Sequence, residues 1–481
     1  MSGSTTLTHH SPAVRLSPRE WVILFVLCGA LFLEGLDVSM IGVSLPSIRA
    51  DLGLSTSTLQ WVVSAYVLGY GGFLMLGGRA ADLFGRRRMF LGWLCVFLVA
   101  SGLGGLAQEG WQLILSRFIT GVSAAFLTPA GLSIITTTFA EGPARNKALM
   151  VYAAIAAGGF SLGMVVGGLL TEVSWRLVFF VPVIVSALVL AAAVRVLPRS
   201  ELEQRRTQSF DLVGAVVLTT AMLLLVYAVV EAPEVGWGSL QTTAFLALSA
   251  VFLAAFVLIE TRSRAPLLRL GLLRSSRLVR ANLGAMTLTG AFIGFQFIAV
   301  LYLQQVRGWS PVETGVALAP LGIDTILAWT LTPRLVNRFG LTKVISVGLL
   351  LGAVAYVLFF RIDAGSSYVE VMLPAILLTG LAFALAYGPL TIAATNGVAP
   401  DEQGVASGLV NTSFQFGAAL GLAIVTAAIT SHAGTGLEAG ITLDALRAAL
   451  IVPVLILLFG AAVMAFGLVT GRSRELERPP A

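Results

Sequence analysis

Charged side chains are scarce in this sequence: they make up 11% of its 481 residues, whereas soluble globular domains carry about 25%. Apolar residues reach 57%, which excludes a soluble fold with an ordinary polar surface and indicates an integral membrane protein. Cysteine is limited to Cys28 and Cys95, both inside apolar stretches, which argues against a disulfide framework or a metal site. The sequence also lacks a glycine-rich nucleotide-binding loop with lysine, so direct use of ATP is not expected.

Long apolar runs are what the sequence has instead. A run of about 20 apolar residues can cross a bilayer as a helix. Fourteen such runs lie near residues 21–46, 59–78, 89–107, 111–139, 149–171, 177–197, 212–230, 242–260, 281–303, 313–333, 343–361, 369–393, 404–430 and 446–470. Pro46, Pro182, Pro320 and Pro389 are expected to interrupt or end helices. The runs predict an all-α membrane protein with fourteen transmembrane helices.

The basic residues are distributed unequally between the two sides of this arrangement. Of the 30 Lys and Arg residues, 24 fall on the side of the N-terminus, five fall on the other side, and Arg117 lies within a predicted span. Because short cytoplasmic loops carry the excess of positive charge, both termini are expected in the cytoplasm of a multi-pass protein of the cell (inner or plasma) membrane. Basic loops also account for the net charge of +6 without a nucleic-acid partner.

A short charged loop between two apolar runs occurs twice. The first copy, GRAADLFGRRR, begins at Gly78, and the second, PRLVNRFGLTK, begins at Pro333, 255 residues later (333 − 78 = 255). Such a repeat indicates two related halves, an architecture typical of secondary transporters. The predicted organisation is a tail (1–20), a six-helix bundle (21–197), a linker with two extra helices (198–280), a second six-helix bundle (281–470) and a tail (471–481).

Several segments resemble motifs of one transporter family. The Gly78–Arg88 loop resembles motif A of the major facilitator superfamily, while LDVSMIGVSLP from Leu36 and LQWVVSAYVL from Leu59 resemble the first-span and second-span motifs of its drug antiporters. Motifs of spans 7, 9 and 13 are matched by Asp211-Leu-Val-Gly214, Tyr302-Leu-Gln304 and Gly417-Ala-Ala-Leu-Gly421. The ordered set covers almost the whole chain and resembles the fourteen-span drug:proton antiporter family 2. This resemblance implies the major facilitator fold and drug export, with no cofactor.

Two acids and one arginine are candidates for proton coupling. Glu34 and Asp37 are three residues apart, so they share one face of span 1, about 4.5 Å apart along the axis. Acids inside a membrane should face the protein interior, and two nearby carboxylates resist ionising together, as a proton carrier requires. Arg117 lies at a similar depth and is expected to pair with Asp37 directly or through water. The pair is interpreted either as a coupling device or as a permanent structural salt bridge.

Asp324 is a further acid near the bilayer midplane, in span 10, where the first half has Gly69 at the aligned position. It is interpreted either as a second protonation site or as an attractive charge for a cationic drug. The other candidates for substrate binding are the predicted cavity liners Trp61, Tyr66, Phe292, Gln296 and Asn411. Glu231 and Glu260 lie near the ends of predicted helices and are expected to reach water.

Motif A also supplies candidates for a conformational switch, namely Gly78, Asp82, Gly85, Arg86 and Arg88. Its glycines allow close helix approach and a tight turn, while its charged side chains can pair across the cytoplasmic face. The resemblance implies that this cluster latches the outward-open state. In the second copy Asn337 replaces the acid, so any latch should be one-sided.

The segment from Gly159 to Gly168 resembles motif C, the antiporter motif, with Met164 in place of its proline. Gly159, Gly163 and Gly167 are spaced by four, so they should give span 5 a smooth stripe for close packing, which the resemblance extends to a switch role with Gly168. In the family motif this proline bends the helix, and the motif is typical of antiporters. Because this sequence lacks the proline, a proton-coupled symporter that imports a small metabolite stays as an alternative.

The sequence therefore predicts a non-enzymatic exporter, driven by protons, of amphipathic and cationic drugs or antibiotics. Its expected partners are a small-molecule substrate, protons and membrane lipid, and the chain is expected to act as a monomer without nucleic acid. A membrane-embedded lipid-handling protein is an alternative of a different class. A membrane enzyme is disfavoured because the three histidines, His9, His10 and His432, fall in a tail and an outer loop.

Overall fold

The computed structural model of the protein describes residues 16–139, 143–197, 212–263, 271, 275–396, 398, 403–432 and 442–476. Within these ranges every regular element is a helix. The α-helices are α1 (Pro18–Leu52), α2 (Thr56–Phe84), α3 (Arg86–Gly105), α4 (Gly110–Thr138), α5 (Pro143–Val173), α6 (Leu177–Val196), α7 (Leu212–Val235), α8 (Leu240–Arg262), α9 (Ser276–Leu301), α10 (Pro311–Leu318), α11 (Ile323–Thr330), α12 (Thr332–Phe339), α13 (Leu341–Phe359), α14 (Leu373–Thr395), α15 (Gln403–His432) and α16 (Leu443–Leu476). The π-helical segments Tyr302–Val306 and Tyr368–Met372 extend α9 and precede α14, and the 3-10 turn Ala319–Gly322 joins α10 to α11.

Serine residues cap the starts of several helices. At α1 the Ser17 hydroxyl accepts from the backbone N–H of Glu20, and the Glu20 carboxylate accepts from the Ser17 backbone N–H at 2.7 Å. This capping box satisfies amide groups that the first turn of a helix leaves unpaired. Ser55 and Ser310 cap α2 and α10 with the same backbone bond to the third residue of the helix. The starts of these helices are therefore encoded locally.

The helices pack as two groups with a pair between them. In the first half, α1–α6, helix α1 lies against α5 and α6, α2 against α4, and α3 against α4 and α6. In the second half, α9–α16, helix α9 lies against α14, α15 and α16, and α13 lies against α14 and α16. Helices α7 and α8 pack on each other, and α7 also lies against α2 and α15, so it covers the seam between the halves. The predicted domain boundaries stay a prediction.

Twelve helical segments among the described residues are long and apolar enough to cross a membrane. The chain is therefore a multi-pass membrane protein. Helices α2 and α5, with 29 and 31 residues, are not among the twelve, although α2 packs on α4 and α5 packs on α1. The count of fourteen spans consequently stays a prediction.

The predicted interruptions by proline differ from helix to helix. Pro320 lies in the 3-10 turn that separates α10 from α11. In contrast, Pro46, Pro182 and Pro389 each lie inside a continuous helix, so the interruption expected at these positions is not observed. Neighbouring helices can satisfy the carbonyl that each proline leaves unpaired, which explains why these helices continue.

The predicted tails fall only partly on described residues. Residues 1–15 and 477–481 lie outside the described part of the chain, as does 198–211 in the predicted linker. Helix α1 already begins at Pro18, and α16 continues to Leu476. The tail expected from residue 471 therefore begins inside a helix.

Candidate functional site

An ion pair between α1 and α4 is buried in the first half. The Arg117 Nη1 donates to Asp37 Oδ2 at 2.5 Å, and the two side chains are 2% and 0% exposed. The Arg117 Nε donates to the backbone oxygen of Val62 at 3.3 Å, and the guanidinium carbon lies 4.6 Å from the centre of the Tyr66 ring. Of the two arrangements expected from the sequence, direct or through water, the direct pairing is observed, and the arginine also links α4 to α2.

One oxygen of this carboxylate stays unpaired. Asp37 Oδ1 is buried and has no hydrogen-bond partner among the described residues. Buried carboxylate oxygens normally accept hydrogen bonds, and an unpaired one is costly. The site therefore has an unpaired carboxylate oxygen on Asp37 that a proton can occupy.

Glu34 has a separate set of partners on the same helix face. Its Oε2 accepts from the Thr128 hydroxyl at 2.9 Å, and that hydroxyl accepts from the Tyr70 hydroxyl at 3.2 Å. Asp37 and Glu34 both reach α4, which confirms the shared face that their spacing predicts. Glu34 and Thr128 also border a small recess between α1, α3, α4 and α5, together with Leu94, Phe97 and Tyr152.

A row of aromatic rings begins on α5 of the first half and continues through α9, α14 and α15 of the second half. The rings are Phe160, Phe292, Phe383, Tyr387 and Phe414, with successive centroid separations of 5.8, 4.8, 5.0 and 4.5 Å. Tyr387 is 40% exposed, so a gap lies beside this row of rings. Only Phe292 was predicted, because single aromatics in apolar helices give no sequence signal that separates cavity lining from packing.

The remaining predicted cavity liners occupy different surroundings. The Gln296 amide lies against Gly42 of α1, where an added Cβ would be 3.3 Å from its Nε2, and Asn411 is half-buried. Tyr66 is buried beneath Arg117 rather than facing the gap. Trp61 donates from Nε1 to Glu231 Oε1 of α7 at 2.6 Å. Gln296 thus lies between the halves, whereas Tyr66 and Trp61 are held by partners within α4 and α7.

Of the two acids expected to reach water, Glu260 is buried, whereas Glu231 keeps part of its surface exposed. Glu231 is half-buried and accepts the Trp61 hydrogen bond. Glu260 of α8 is buried at 5% exposure. Trp61 of α2 contacts the Glu231 carboxylate across the α2–α7 interface, a contact that proximity to a helix end does not predict.

Asp324 lies where span 10 is broken. It is the second residue of α11, directly after the 3-10 turn, and its Oδ1 accepts from the backbone N–H of Thr325 at 2.6 Å. An added Cβ on the neighbouring Gly322 would overlap the Ser161 hydroxyl of α5, so this break is held against the first half. The structure places the acid at a helix start, where a negative charge is favoured.

The predicted glycine stripe on α5 packs against α1. An added Cβ on Gly159, Gly163 or Gly167 would overlap the α1 backbone or, at Gly163, also the hydroxyl of Ser39. Gly168 instead faces the backbone of Pro311 in α10. The stripe is therefore a close-packing face, as predicted, and its neighbour Gly168 contacts the second half. A role of these glycines in switching stays a prediction.

The motif A loop is a turn of one residue. Gly85 alone separates α2 from α3, with φ of 92°, and in the second copy Gly340 separates α12 from α13 with φ of 83°. These backbone angles favour glycine, so the tight turn expected at Gly85 is observed. Gly78 lies near Pro129, Arg86 is half-buried and Arg88 is exposed. The side chain of Asp82 lies outside the described part of the chain, and the latch stays a prediction.

The halves touch at the end of the molecule opposite the N-terminus. The Gln304 Nε2 of the second half donates to the backbone oxygen of Val43 in α1 at 2.8 Å. An added Cβ on Gly315 would overlap the Met164 backbone of α5, so α10 and α5 approach closely. This end of the gap is therefore closed by direct contact between the halves.

Two helix bundles built around a repeated turn, with an ion pair buried inside the first, define the protein as a membrane transporter of the repeat-containing type. The profile of the Major Facilitator Superfamily matches residues 27–422 and again 285–480. The chain belongs to this superfamily. A solved structure with a similar fold is that of the POT family transporter PepTSo, which superposes with a TM-score of 0.68 at 15% identity, covering 96% of this chain and 100% of the other.

Curated relatives are similar over nearly the whole length. The puromycin resistance protein pur8 of Streptomyces alboniger is 38% identical over 477 residues, covering 96% of this chain and 93% of its own. The cephamycin export protein CmcT of Amycolatopsis lactamdurans is 37% identical over 447 residues, covering 90% and 92%. The relatives are antibiotic resistance and export transporters rather than enzymes.

Proposed function

We propose that the protein exports amphipathic, cationic antibiotics or drugs across the cell membrane in exchange for protons. The export of an antibiotic is supported by relatives named for puromycin resistance and cephamycin export, which match 96% and 90% of this chain. The observation that carries proton exchange is the buried Asp37–Arg117 pair with its unpaired carboxylate oxygen.

Protonation of Asp37 would act on three helices at once. The ion pair joins α1 to α4, and the same guanidinium binds the Val62 carbonyl and the Tyr66 ring of α2. Coulomb attraction is strong where water is excluded, so neutralising the carboxylate removes the main force that holds Arg117 in place. A proton on Asp37 would thereby alter the packing of α1, α2 and α4.

The gap beside Glu34 suits a cation with an apolar body. Glu34 offers a negative charge on one side, and the aromatic row that includes Phe292 and Tyr387 offers apolar faces on the other. Aromatic faces attract cations, and carboxylates add charge attraction. We propose that cargo binds between these surfaces, with Asp324 as a second negative charge at the break in span 10.

Alternating access links the two sites. The two halves would rock about the gap, and protons entering from outside would neutralise Asp37 or Glu34 and weaken the hold on the cargo. Each charge that moves through 100 mV supplies about 2.3 kcal/mol, so one or two protons can drive uphill export. We further propose fourteen spans, both termini in the cytoplasm and a monomeric transporter, on the strength of the apolar runs and the unequal distribution of basic residues.

A proton symporter that imports a metabolite is the second candidate. It is favoured by Met164, which stands in place of the helix-bending proline of the antiporter motif and is fully buried in α5. The two candidates differ in the sign of coupling, because an inward proton gradient would drive cargo outward in the first and inward in the second.

The test combines cells with purified protein. Cells that express the chain are screened with cationic dyes and antibiotics, with and without an uncoupler. The expected result is lower accumulation than in control cells and loss of this difference when the uncoupler is added. In proteoliposomes with an imposed pH gradient, adding the exported compound should accelerate proton release, whereas co-movement of compound and protons would establish the symporter instead.

A further inference from the structure

Helix α2 presents three faces to three different neighbours. Gly69 and Gly77 lie against the backbone of α4, and Gly72 lies against Leu223 of α7. Gly71 lies on the third face, where an added Cβ would be 3.4 Å from the Cβ of Gln415 in α15. Through this third face, α2 of the first half contacts α15 of the second half.

Two polar residues on the third face have no hydrogen-bond partner in the part of the chain that the structure describes. Gln60 and Ser64 precede Gly71 by eleven and seven residues, which are about three and two helical turns, so they point toward α15 as well. They are 1% and 0% exposed, and neither the Gln60 amide atoms nor the Ser64 hydroxyl has a partner among the described residues.

A matching residue lies on α15. The two helices run antiparallel. Helix α15 runs parallel to α9, since Gly290 lies against Gly417 and Gly294 lies against Val425, and both helices lead toward the end where Gln304 contacts Val43. Helix α2 starts from that same end, directly after α1. Thr426 follows Gln415 by eleven residues and so lies at the level of Gln60. It is 0% exposed, and its hydroxyl also has no partner among the described residues.

Unpaired polar groups are a cost that a permanent interface avoids. Buried polar side chains are nearly always hydrogen-bonded, and an unpaired one loses its hydration without compensation. Here three such residues lie on one seam between the halves, toward the end where Gln304 and Gly315 also close the gap. When the seam opens, each of the three residues can hydrogen-bond water or a ligand. The free-energy cost of leaving them unpaired is therefore present only in the closed state.

We infer that Gln60, Ser64 and Thr426 form the polar lining of a second opening, the exit, which appears when α2 and α15 separate. There they hydrogen-bond water and the polar groups of the departing substrate. Their lack of partners in the closed seam favours opening and so sustains turnover. The inference rests on the proposed export by alternating access, and it assigns the exit to residues apart from the ion pair and the aromatic row.

The first test removes the unpaired groups without changing shape. Thr426→Val and Ser64→Ala are compared with Ser186→Ala, which removes an equally buried and unpaired hydroxyl inside the first half. All three should raise the melting temperature, because each removes an unpaired polar group. Only the two seam variants should slow export, by about tenfold, because they stabilise the closed seam. Export by Thr426→Val at the parent rate, or equal slowing in Ser186→Ala, would overturn the inference.

The second test measures exposure of the seam. In a protein with Cys28→Ala and Cys95→Ser, Ser64→Cys is treated from outside with a membrane-impermeant thiol reagent. Labelling should accelerate at least about fivefold when substrate and a proton gradient are supplied, since the open state then becomes populated. Ser101→Cys is the control, because the Ser101 hydroxyl is also 0% exposed but is bonded to the Phe179 backbone at 2.8 Å within the first half.

The outcomes separate this inference from the proposed function. If the parent protein exports no compound, the proposed function fails, whatever the labelling shows. If the parent exports and Ser64→Cys stays as unreactive as Ser101→Cys during turnover, the exit does not run along the α2–α15 seam and the inference is wrong.

Discussion

Span 2 and span 10 have similar ends but differ in their middle parts. Both start at a serine cap, Ser55 and Ser310, and both end at a one-residue turn, Gly85 and Gly340; each pair is 255 residues apart (310 − 55 = 340 − 85 = 255). Span 2 is the single helix α2 of 29 residues, whereas span 10 is divided into α10, a 3-10 turn, α11 and α12. The repeat thus preserves the ends of the span and changes its middle.

The difference shows how related halves acquire separate tasks. Where α2 has Gly69, packed on the α4 backbone beside Phe118, the broken span has Asp324 at the start of a new helix. The first half keeps its charge sealed in the Asp37–Arg117 pair, while the second half places one acid at a helix break. We therefore expect proton coupling to depend mainly on the first half, whereas recognition of the cargo is shared between Glu34 of the first half and the acid and aromatic rings of the second half.

The largest effect is expected at the sealed pair. Asp37→Asn leaves the Arg117 charge buried without a counter-ion, which should lower the free energy of unfolding by about 3–5 kcal/mol and abolish proton-coupled export. Thermal unfolding and proton release in proteoliposomes measure the two effects. Asp444→Asn is the control, since Asp444 is 91% exposed and its 3.5 Å pair with Arg447 lies at the surface. Unchanged proton flux in Asp37→Asn would remove this pair from the mechanism.

The next largest effect is a loss of stability at closely packed glycines, which both halves contain. Gly163 of α5 packs on α1, and Gly421 of α15 packs on the backbone of Gly290 in α9. Alanine at Gly163 or Gly421 should lower the free energy of unfolding by about 1–3 kcal/mol, because its Cβ would overlap the facing backbone. Gly158→Ala, where an added Cβ meets nothing within 4 Å, should be neutral or stabilising in the same measurement. A cost at Gly163 without one at Gly421 would show that the two halves are not packed alike.

A smaller effect is expected at the two turns. Gly85→Ala and Gly340→Ala should each lower the free energy of unfolding by about 1–2 kcal/mol, because an L-residue is strained at these positive φ angles. Gly92→Ala in α3 is the unstrained control. Export should fall further for Gly85→Ala, since only this turn is followed by three arginines, of which Arg87 bonds the Val194 backbone at 2.8 Å. Equal losses of export at both turns would argue against a one-sided latch.

The smallest effect is a change of selectivity. Asp324→Asn should weaken export of cations by about tenfold while neutral compounds are nearly unaffected, because it removes one negative charge and little volume. Asp363→Asn is the matched control, as Asp363 also accepts a backbone N–H but lies in an exposed loop. Equal losses for cations and neutral compounds would refute a charge-selecting role.

Features set by spacing along one helix were predictable from the sequence. The shared face of Glu34 and Asp37 followed from their spacing, and the turn at Gly85 followed from its place in the repeated loop. Among contacts between distant helices, only the pairing of Asp37 with Arg117 was predicted, from their similar depth, and other contacts of this kind were not predictable from spacing. The bond from Trp61 to Glu231 depends on how α7 docks against α2, and no pattern within either helix encodes it.

The aromatic row illustrates the same limit for the candidate site. Phe383 and Phe414 look like ordinary apolar residues of α14 and α15, and they form a row with Phe292 only after three helices have packed. The break in span 10 was only partly predictable from the sequence. Pro320 indicated it, yet similar prolines at Pro46 and Pro389 leave their helices continuous, so the neighbours of each helix decide the outcome.

The one-residue turns connect consecutive helices without a loop between them. Only Gly85 lies between the last residue of α2 and the first residue of α3, so the start of α3 must follow any movement of the end of α2. Gly340 connects α12 to α13 in the same manner. The ends of the two helices in each pair must therefore stay close together in every state of the protein. A displacement of α2 at the Arg117 contact can be taken up only by rotation about Gly85 or by movement of α3, which packs on α4 and α6.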